Sequence, residues 1–336
     1  MATKADLPRG KHTDDIGLLN TKDRIDALVA KHTRARSQIS GSLIKQSLHR
    51  MRRSPMAITG GVIVVVFVVL ALLGPIVAPY DPSAQNWADE AFRNQNIFPG
   101  PRADNWFGVD HLGRDQFSRM LHGARQTLLV GIVAAALGFC IGAVLGGTAA
   151  AMKILGGRMG ERVDSFIMRF VDMMLAIPSL LLALSIAALM GASLTTVMIA
   201  VGAAQVPIFA RLLRGSMLAQ SGSEYVLAAT AVGVKKPRII MSHVFPNALG
   251  PVIVQGTLTL ATAIIEAAAL SYLGLGNPDK SLPEWGTMLA ETQDYLLYAP
   301  GLALPPALGI IITALGFTLL GEAMRESLDP KLRRQS

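Results

Sequence analysis

Four stretches of this chain run 27 residues each without Asp, Glu, Lys or Arg: Ser54 to Tyr80, Gln126 to Met152, Ile239 to Ile265 and Tyr295 to Gly321. A helix that crosses a bilayer needs about 20 predominantly apolar residues. Each stretch therefore supplies one span with room to tilt. A fifth stretch, Met173 to Ala210, holds 38 such residues. At about 1.5 Å per residue it is roughly twice as long as a hydrocarbon core is thick. It is predicted to fold as two spans joined by a tight turn near Gly191, Ala192 and Ser193. With 51% hydrophobic and 16% charged residues, the chain is too apolar for an ordinary soluble domain of this length. The expected fold class is all-α, a polytopic membrane protein with six transmembrane helices.

Six spans put both termini on one side, and the basic residues say which. The segments Met1–Arg53, Lys153–Arg169, Arg211–Arg238 and Arg325–Arg334 hold 25 of the 31 Lys and Arg, whereas Arg93–Arg125 and Lys280 hold 6. Loops facing the cytoplasm carry the excess, so both termini are expected there. The net charge of +8 is mostly this bias. A basic N-terminal arm also suits nucleic acid. Anionic lipid accounts for juxtamembrane basic residues more simply, so membrane lipid is the expected partner and nucleic acid is not. The first apolar run starts more than fifty residues in, which does not fit a cleavable signal peptide. Cys140 is the only cysteine. It excludes a disulfide within the chain and a cysteine metal site, and reads as a small packing residue.

The chain divides into three parts. Residues 1–42 read as a cytoplasmic arm, polar, mixed in charge and largely disordered. Residues 43–55 read as an amphipathic helix lying in the interface, with Leu43, Ile44, Leu48 and Met51 on one face and Lys45, Arg50, Arg52 and Arg53 on the other. Residues 56–336 form the six-span domain, with outside loops at 80–125 and 271–300 and a cytoplasmic loop at 211–246. Trp87, Trp106 and Trp285 are placed as interface anchors. Pro178, Pro207 and Pro251 are expected to kink their spans, and Arg169 with Asp172 to form a solvated ion pair. His111, His122 and His243 are too scattered in sequence to suggest a metal site. No internal repeat is visible, which weakens a carrier built on inverted repeats.

Within loop 211–246 lies a short alanine-rich segment, EYVLAATAVG, from Glu224 to Gly233. Ser221 with Glu224 fits a capping box. Glu224 favours a helix N-terminus through the dipole. Gly233 suits the left-handed position that closes a helix, Lys235 and Lys236 fall past its carbonyl-rich end, and Pro237 prevents continuation. The helix is expected to be about two and a half turns long. Ala228 and Ala229 let a partner approach the backbone, and Tyr225 is the kind of rigid anchor that dominates interfaces. Spacing alone leaves two readings open: a socket for another protein, or an elbow resting on lipid.

The stretch Leu227 to Pro246 resembles the cytoplasmic loop signature of bacterial ABC importer permeases, E-A-A-x3-G-x9-I-x-L-P. Ala228, Ala229, Gly233 and Pro246 match in register, while Leu227, His243 and Phe245 depart from the pattern. Those departures resemble the dipeptide/oligopeptide/nickel branch, in which the acidic residue sits earlier, as Glu224 does, and a His precedes Pro-Asn, as in HVFPNALGP. FGVDHLGRDQFSRMLHGARQTLLVG from Phe107, VDSFIMRFVDMMLAIPSLLLAL from Val163, ALSYLGLG within 268–276, PEWGTML from Pro283 and LDPKLR from Leu328 resemble the same branch. The resemblance covers about 43–333 and is most like the C-type permease subunit of a peptide importer, with a type I importer permease fold.

The resemblance implies a non-catalytic subunit that forms half of a translocation path by alternating access. Its expected partners are a B-type permease, one or two cytoplasmic ATPase subunits that carry ATP and Mg, and an extracytoplasmic solute-binding protein that docks on the outside loops. Glu224, Tyr225, Ala228, Ala229, Gly233 and Pro246 would form the contact with the ATPase. No cofactor is expected in this chain itself. It has no G-x4-G-K-[ST] phosphate loop, no G-x-S-x-G elbow and no H-E-x-x-H pair. Glu266, some twenty residues into the fifth span, has two readings. It contacts a peptide amine on the pathway, or it sits near the outer mouth, hydrogen-bonded to a neighbouring helix or protonated. The second is favoured, because the branch carries an acidic residue there whatever the substrate. Rival functions are import of nickel or another small solute, a motor-independent carrier, and a membrane scaffold.

Overall fold

The computed structural model describes residues 51–93 and 100–328. The expected N-terminal arm, most of the helix at 43–55 and the residues after Leu328 lie outside the described residues. The unit from Ser54 onward consists of α1 (Pro55–Val77), α2 (Ala88–Arg93), α3 (Gln116–Leu155), α4 (Gly157–Leu175), α5 (Ser179–Met190), α6 (Leu194–Ser221), α7 (Glu224–Ala231), α8 (Lys236–Ile239), α9 (Phe245–Leu270), α10 (Trp285–Glu291) and α11 (Leu304–Leu328). π-helical turns at Ile240–Val244 and Ser271–Leu275 extend α9 at both ends.

Five of these helices, or helix runs, are long and apolar enough to cross a bilayer; α4 and α5 pass together as a sixth, bent by 91°. The long fifth window does divide at Gly191, which takes φ +84 and ends α5. The unexpected division lies upstream. Pro178 does not kink a span; it caps α5 after α4 has stopped at Leu175. A proline disfavours helical geometry in the residue before it, and here the chain changes direction. Pro207 and Pro251 sit inside continuous helices. The first outside loop is also shorter than expected, and the second ends later. Gln116–Arg125 is already the start of the 40-residue α3, and the last segment stays in turns until Leu304.

Close helix packing sets the arrangement. Gly138, Gly142 and Gly146 form an i, i+4, i+8 stripe on α3 facing α6. A Cβ at Gly138 would stand 2.7 Å from Gln205, one at Gly142 would stand 2.7 Å from the Val206 carbonyl, and at Gly146 the Ala210 backbone would block it. Small residues allow such approach where burial from water does not drive helices together. A second core joins α1, α11 and α9 around Phe67, Trp285 and Phe317, with the Phe67 ring centred 5.4 Å from Trp285 and 6.3 Å from Phe317.

Several expected placements are corrected. Trp285 is 4% exposed and donates its indole N–H to the Met120 carbonyl at 3.0 Å, so it is a core residue rather than an interface anchor. Trp106 is exposed, packed on Phe117. Cys140 points outward from α3 instead of packing within the chain. Asp172 pairs with Arg211 of α6, not with Arg169. The neighbouring Asp164 is bidentate to Arg214 at 2.5 and 2.8 Å.

Candidate functional site

The loop between α6 and α9 folds as a compact elbow. Ser221 and Ser223 turn their hydroxyls back to donate to Leu218 and Gln220 carbonyls. The predicted capping box is therefore absent. Ser223 is the N-cap residue by backbone (φ −76, ψ 154) and makes no side-chain cap. Glu224 opens α7 in the first turn, exposed, where the helix dipole favours a carboxylate.

The other end of α7 closes with a Schellman motif. Val234 N–H donates to the Ala229 carbonyl at 3.1 Å and Gly233 N–H to Thr230 at 3.0 Å, with Gly233 at φ +85. Lys236 does not serve this helix end. Its ammonium reaches the Leu155 carbonyl at 3.2 Å and so caps α3. Pro237 lies in the first turn of α8, which Lys236 opens.

The two faces of α7 differ. Val226 is buried, and Tyr225 and Ala229 pack beside it against a cluster that includes Phe209, Leu213, Met217, Ile240 and Val244. The Tyr225 hydroxyl donates to Gln220 at 2.7 Å. Two residues expected at a partner contact therefore hold α7 on the bundle. The outward face consists of Glu224, Leu227, Ala228, Ala231 and Val232, with Leu227 63% and Val232 85% exposed. Leu227 and Val232 escape a sequence reading because alanines, not exposed branched residues, mark such a socket. Pro246 lies apart from this face, exposed in the first turn of α9. The π turn just before it shifts the backbone pairing where the missing proline N–H would interrupt an α ladder.

Glu266 sits where three helices meet. Its carboxylate accepts from the Ser179 hydroxyl at 2.6 Å and from the Gln205 amide at 2.9 Å. Ser179 begins α5, directly after the 91° break. The residue thus ties α5, α6 and α9 together. Ser179 and Gln205 carried no sequence signal of their own.

On the face opposite α7, a buried charge network clasps the two connecting segments. Asp110 pairs with Arg114 at 2.6 Å; Arg114 and Arg119 each reach Glu291 at 2.8 Å. The same two guanidiniums donate to the Lys280 carbonyl at 2.9 and 3.2 Å. His111, Asp110 and Glu291 lie close enough to hold a metal ion, a grouping that sequence spacing does not reveal. Two arginines already neutralise both carboxylates, so the donor set does not fit a cation. Nearby, Glu284 is 2% exposed and accepts from the Ser271 hydroxyl at 2.9 Å. Burial pushes its carboxyl up to about 7, against a smaller opposing effect of the Ser271 hydrogen bond.

Comparison with known proteins places this geometry among transport proteins. Residues 142–334 match the family described as binding-protein-dependent transport system inner membrane component, and residues 42–96 match the N-terminal TM domain of oligopeptide transport permease C. The chain is 38% identical over 289 residues to a dipeptide transport system permease protein of Alkalihalophilus pseudofirmus, covering 86% of this chain and 90% of the relative. It is 38% identical over 298 residues to the oligopeptide transport system permease protein of Bacillus subtilis, covering 89% and 93%. A glutathione transport system permease protein of Escherichia coli O157:H7 is 39% identical over 284 residues, covering 84% and 89%. Among solved structures, an inward-facing methionine ABC transporter aligns with TM-score 0.51 at 18% identity, covering 63% of this chain and 97% of that chain. That likeness speaks to the fold.

Proposed function

This chain belongs to the family of binding-protein-dependent transport system inner membrane components, and on that premise we propose that it imports peptides as the C-type permease of an ABC importer. The permease role and the multi-pass inner-membrane location come with the family. The substrate reading draws on the dipeptide, oligopeptide and glutathione permeases it resembles. In this reading the basic face and both termini are cytoplasmic. One or two ATPase subunits bind ATP and Mg, a B-type permease completes the path, and a solute-binding protein docks on the outer clasp. The chain itself performs no catalysis.

The outward face of α7 carries the proposal. A short helix, fixed by Val226 on one side and presenting Leu227, Ala228 and Val232 on the other, is suited to seat in a groove of a separate motor. Glu224 and Gly233 define its two ends, while Tyr225, Ala229 and, further on, Pro246 support the elbow. ATP binding in the motor would bias two arrangements of the pair of permeases, as any ligand-driven switch requires differential contact in two states. Glu266 would serve as a gate element, because it joins the start of α5 to two other helices.

The test is gentle purification of the tagged chain from its native membrane, with mass spectrometry of the proteins that accompany it. Recovery of ATPase subunits and a second permease in fixed stoichiometry is expected. Recovery of the chain alone, under conditions that keep other such complexes intact, would refute the reading.

A further inference from the structure

Helix α4 has three faces about a third of a turn apart. Gly160, Asp164 and Val171 are buried against α3 and α6. Met159, Phe166, Phe170 and Met173 form an exposed apolar face, with Phe166 77% exposed. Arg158, Arg162, Ser165 and Arg169 form an exposed face at i, i+4, i+7 and i+11. With Glu161 and Phe166 they line an open cleft of about 450 Å³. None of the three arginines pairs with a carboxylate among the described residues.

Two ion pairs tie α4 to α6. Asp164 meets Arg214, and Asp172 meets Arg211. Both ends of the charged stretch of α4 are therefore tied to one short part of α6, at residues three apart. Arg211 is where the charge-free part of α6 ends after Ala210. The charged stretch of α4 is thus held at the level where the apolar part of α6 ends, and the chain turns by 91° between α4 and α5.

We propose that α4 lies in the membrane interface and that Arg158, Arg162 and Arg169 bind the phosphate of an anionic phospholipid, with Phe166 and Met159 seated among its acyl chains. Amphipathic interfacial helices combine a basic polar face with an aromatic apolar one in this way. Charge complementarity favours a lipid: one molecule supplies both the anion for three unpaired guanidiniums and the apolar surface for the adjoining face. The inference rests on the orientation proposed above, since an anionic leaflet is the source of that lipid. At about fivefold per basic residue, three arginines less Glu161 give a preference on the order of thirtyfold for anionic over zwitterionic headgroups.

The experiment uses the assembled transporter containing this chain in lipid nanodiscs doped with photoreactive phosphatidylglycerol or photoreactive phosphatidylcholine. Labelling of 157–175 is read by mass spectrometry. Phosphatidylglycerol is expected to label at least about tenfold more. The triple variant Arg158→Gln, Arg162→Gln, Arg169→Gln should fall to the phosphatidylcholine level with the complex still assembled, and the triple Lys variant should retain labelling. Equal labelling by the two probes, an undiminished Gln variant, or protein cross-links from a second permease in place of lipid would overturn the proposal. Orientation is read separately. Ser165→Cys in a Cys140→Ser background should resist an impermeant maleimide in sealed right-side-out vesicles. Labelling there would overturn the orientation, independently of lipid choice.

Discussion

A carboxyl buried as deeply as that of Glu284 is held protonated by its surroundings until the pH approaches about 7. In the unfolded chain it titrates near its ordinary value of 4.5. Between those two values the folded protein binds the extra proton, so stability falls as pH rises through this window. The contribution is fully present below about 4.5 and lost above about 7. The difference corresponds to on the order of 3 kcal/mol. Replacing Glu284 by Gln should therefore flatten the decline in unfolding temperature of the purified complex between acidic and mildly alkaline pH. An unchanged slope in that variant would show that Glu284 is not the titrating group. Nothing in the sequence singled out this residue: its burial comes from Ser271 and the turn that brings 271 against 284. The same holds for Glu291, whose partners Arg114 and Arg119 lie more than 170 positions away. Asp110 and Arg114 stand four positions apart, yet Glu291 is brought to Arg114 only by the fold.

At the scale of elements, α7 was legible because its boundaries are local chemistry. Gly233 supplies the left-handed residue and Pro237 lies in the first turn of the next helix, and neither depends on distant contacts. Its cap was misread because Ser221 and Ser223 satisfy the carbonyls behind them instead of the N–H groups ahead. Helix α4 was illegible for the opposite reason. A search for charge-free windows discards a segment with charges at Arg158, Glu161, Arg162, Asp164, Arg169 and Asp172, although the helical period of its basic stripe was present. The Schellman closure of α7 yields a prediction. A Cβ at Gly233 would touch nothing within 4 Å, so the obstacle to substitution is the φ of +85 alone. Left-handed geometry costs an L-residue about 1–2 kcal/mol and a β-branched one more, whereas Asn tolerates it. Gly233→Val should reduce peptide uptake on the order of tenfold or more at equal protein level, and Gly233→Asn should retain most of it. Equal uptake by all three proteins would remove the closed helix end from the coupling account.

At the scale of the whole molecule, α3, α6 and α9 form a close-set group. The glycine stripe of α3 draws α6 into backbone contact, and Glu266 ties three helices at one carboxylate. Large apolar residues face outward on α1, α4 and α11, surfaces suited to lipid or to the second permease proposed above. The span count was readable from charge-free windows, because a bilayer imposes length and composition on every crossing. The break at Pro178 was not, since a proline in an apolar run signals a kink and a full turn alike. The outward face of α7 is proposed to meet a motor subunit. That contact is tested most directly by placing single cysteines at Leu227, Ala228 and Val232 in a Cys140→Ser background and cross-linking native membranes. The account predicts adducts with an ATPase subunit from these positions, and none from a cysteine at the buried Val226. Failure of all three exposed positions to capture an ATPase, in membranes where the complex is demonstrably assembled, would contradict it.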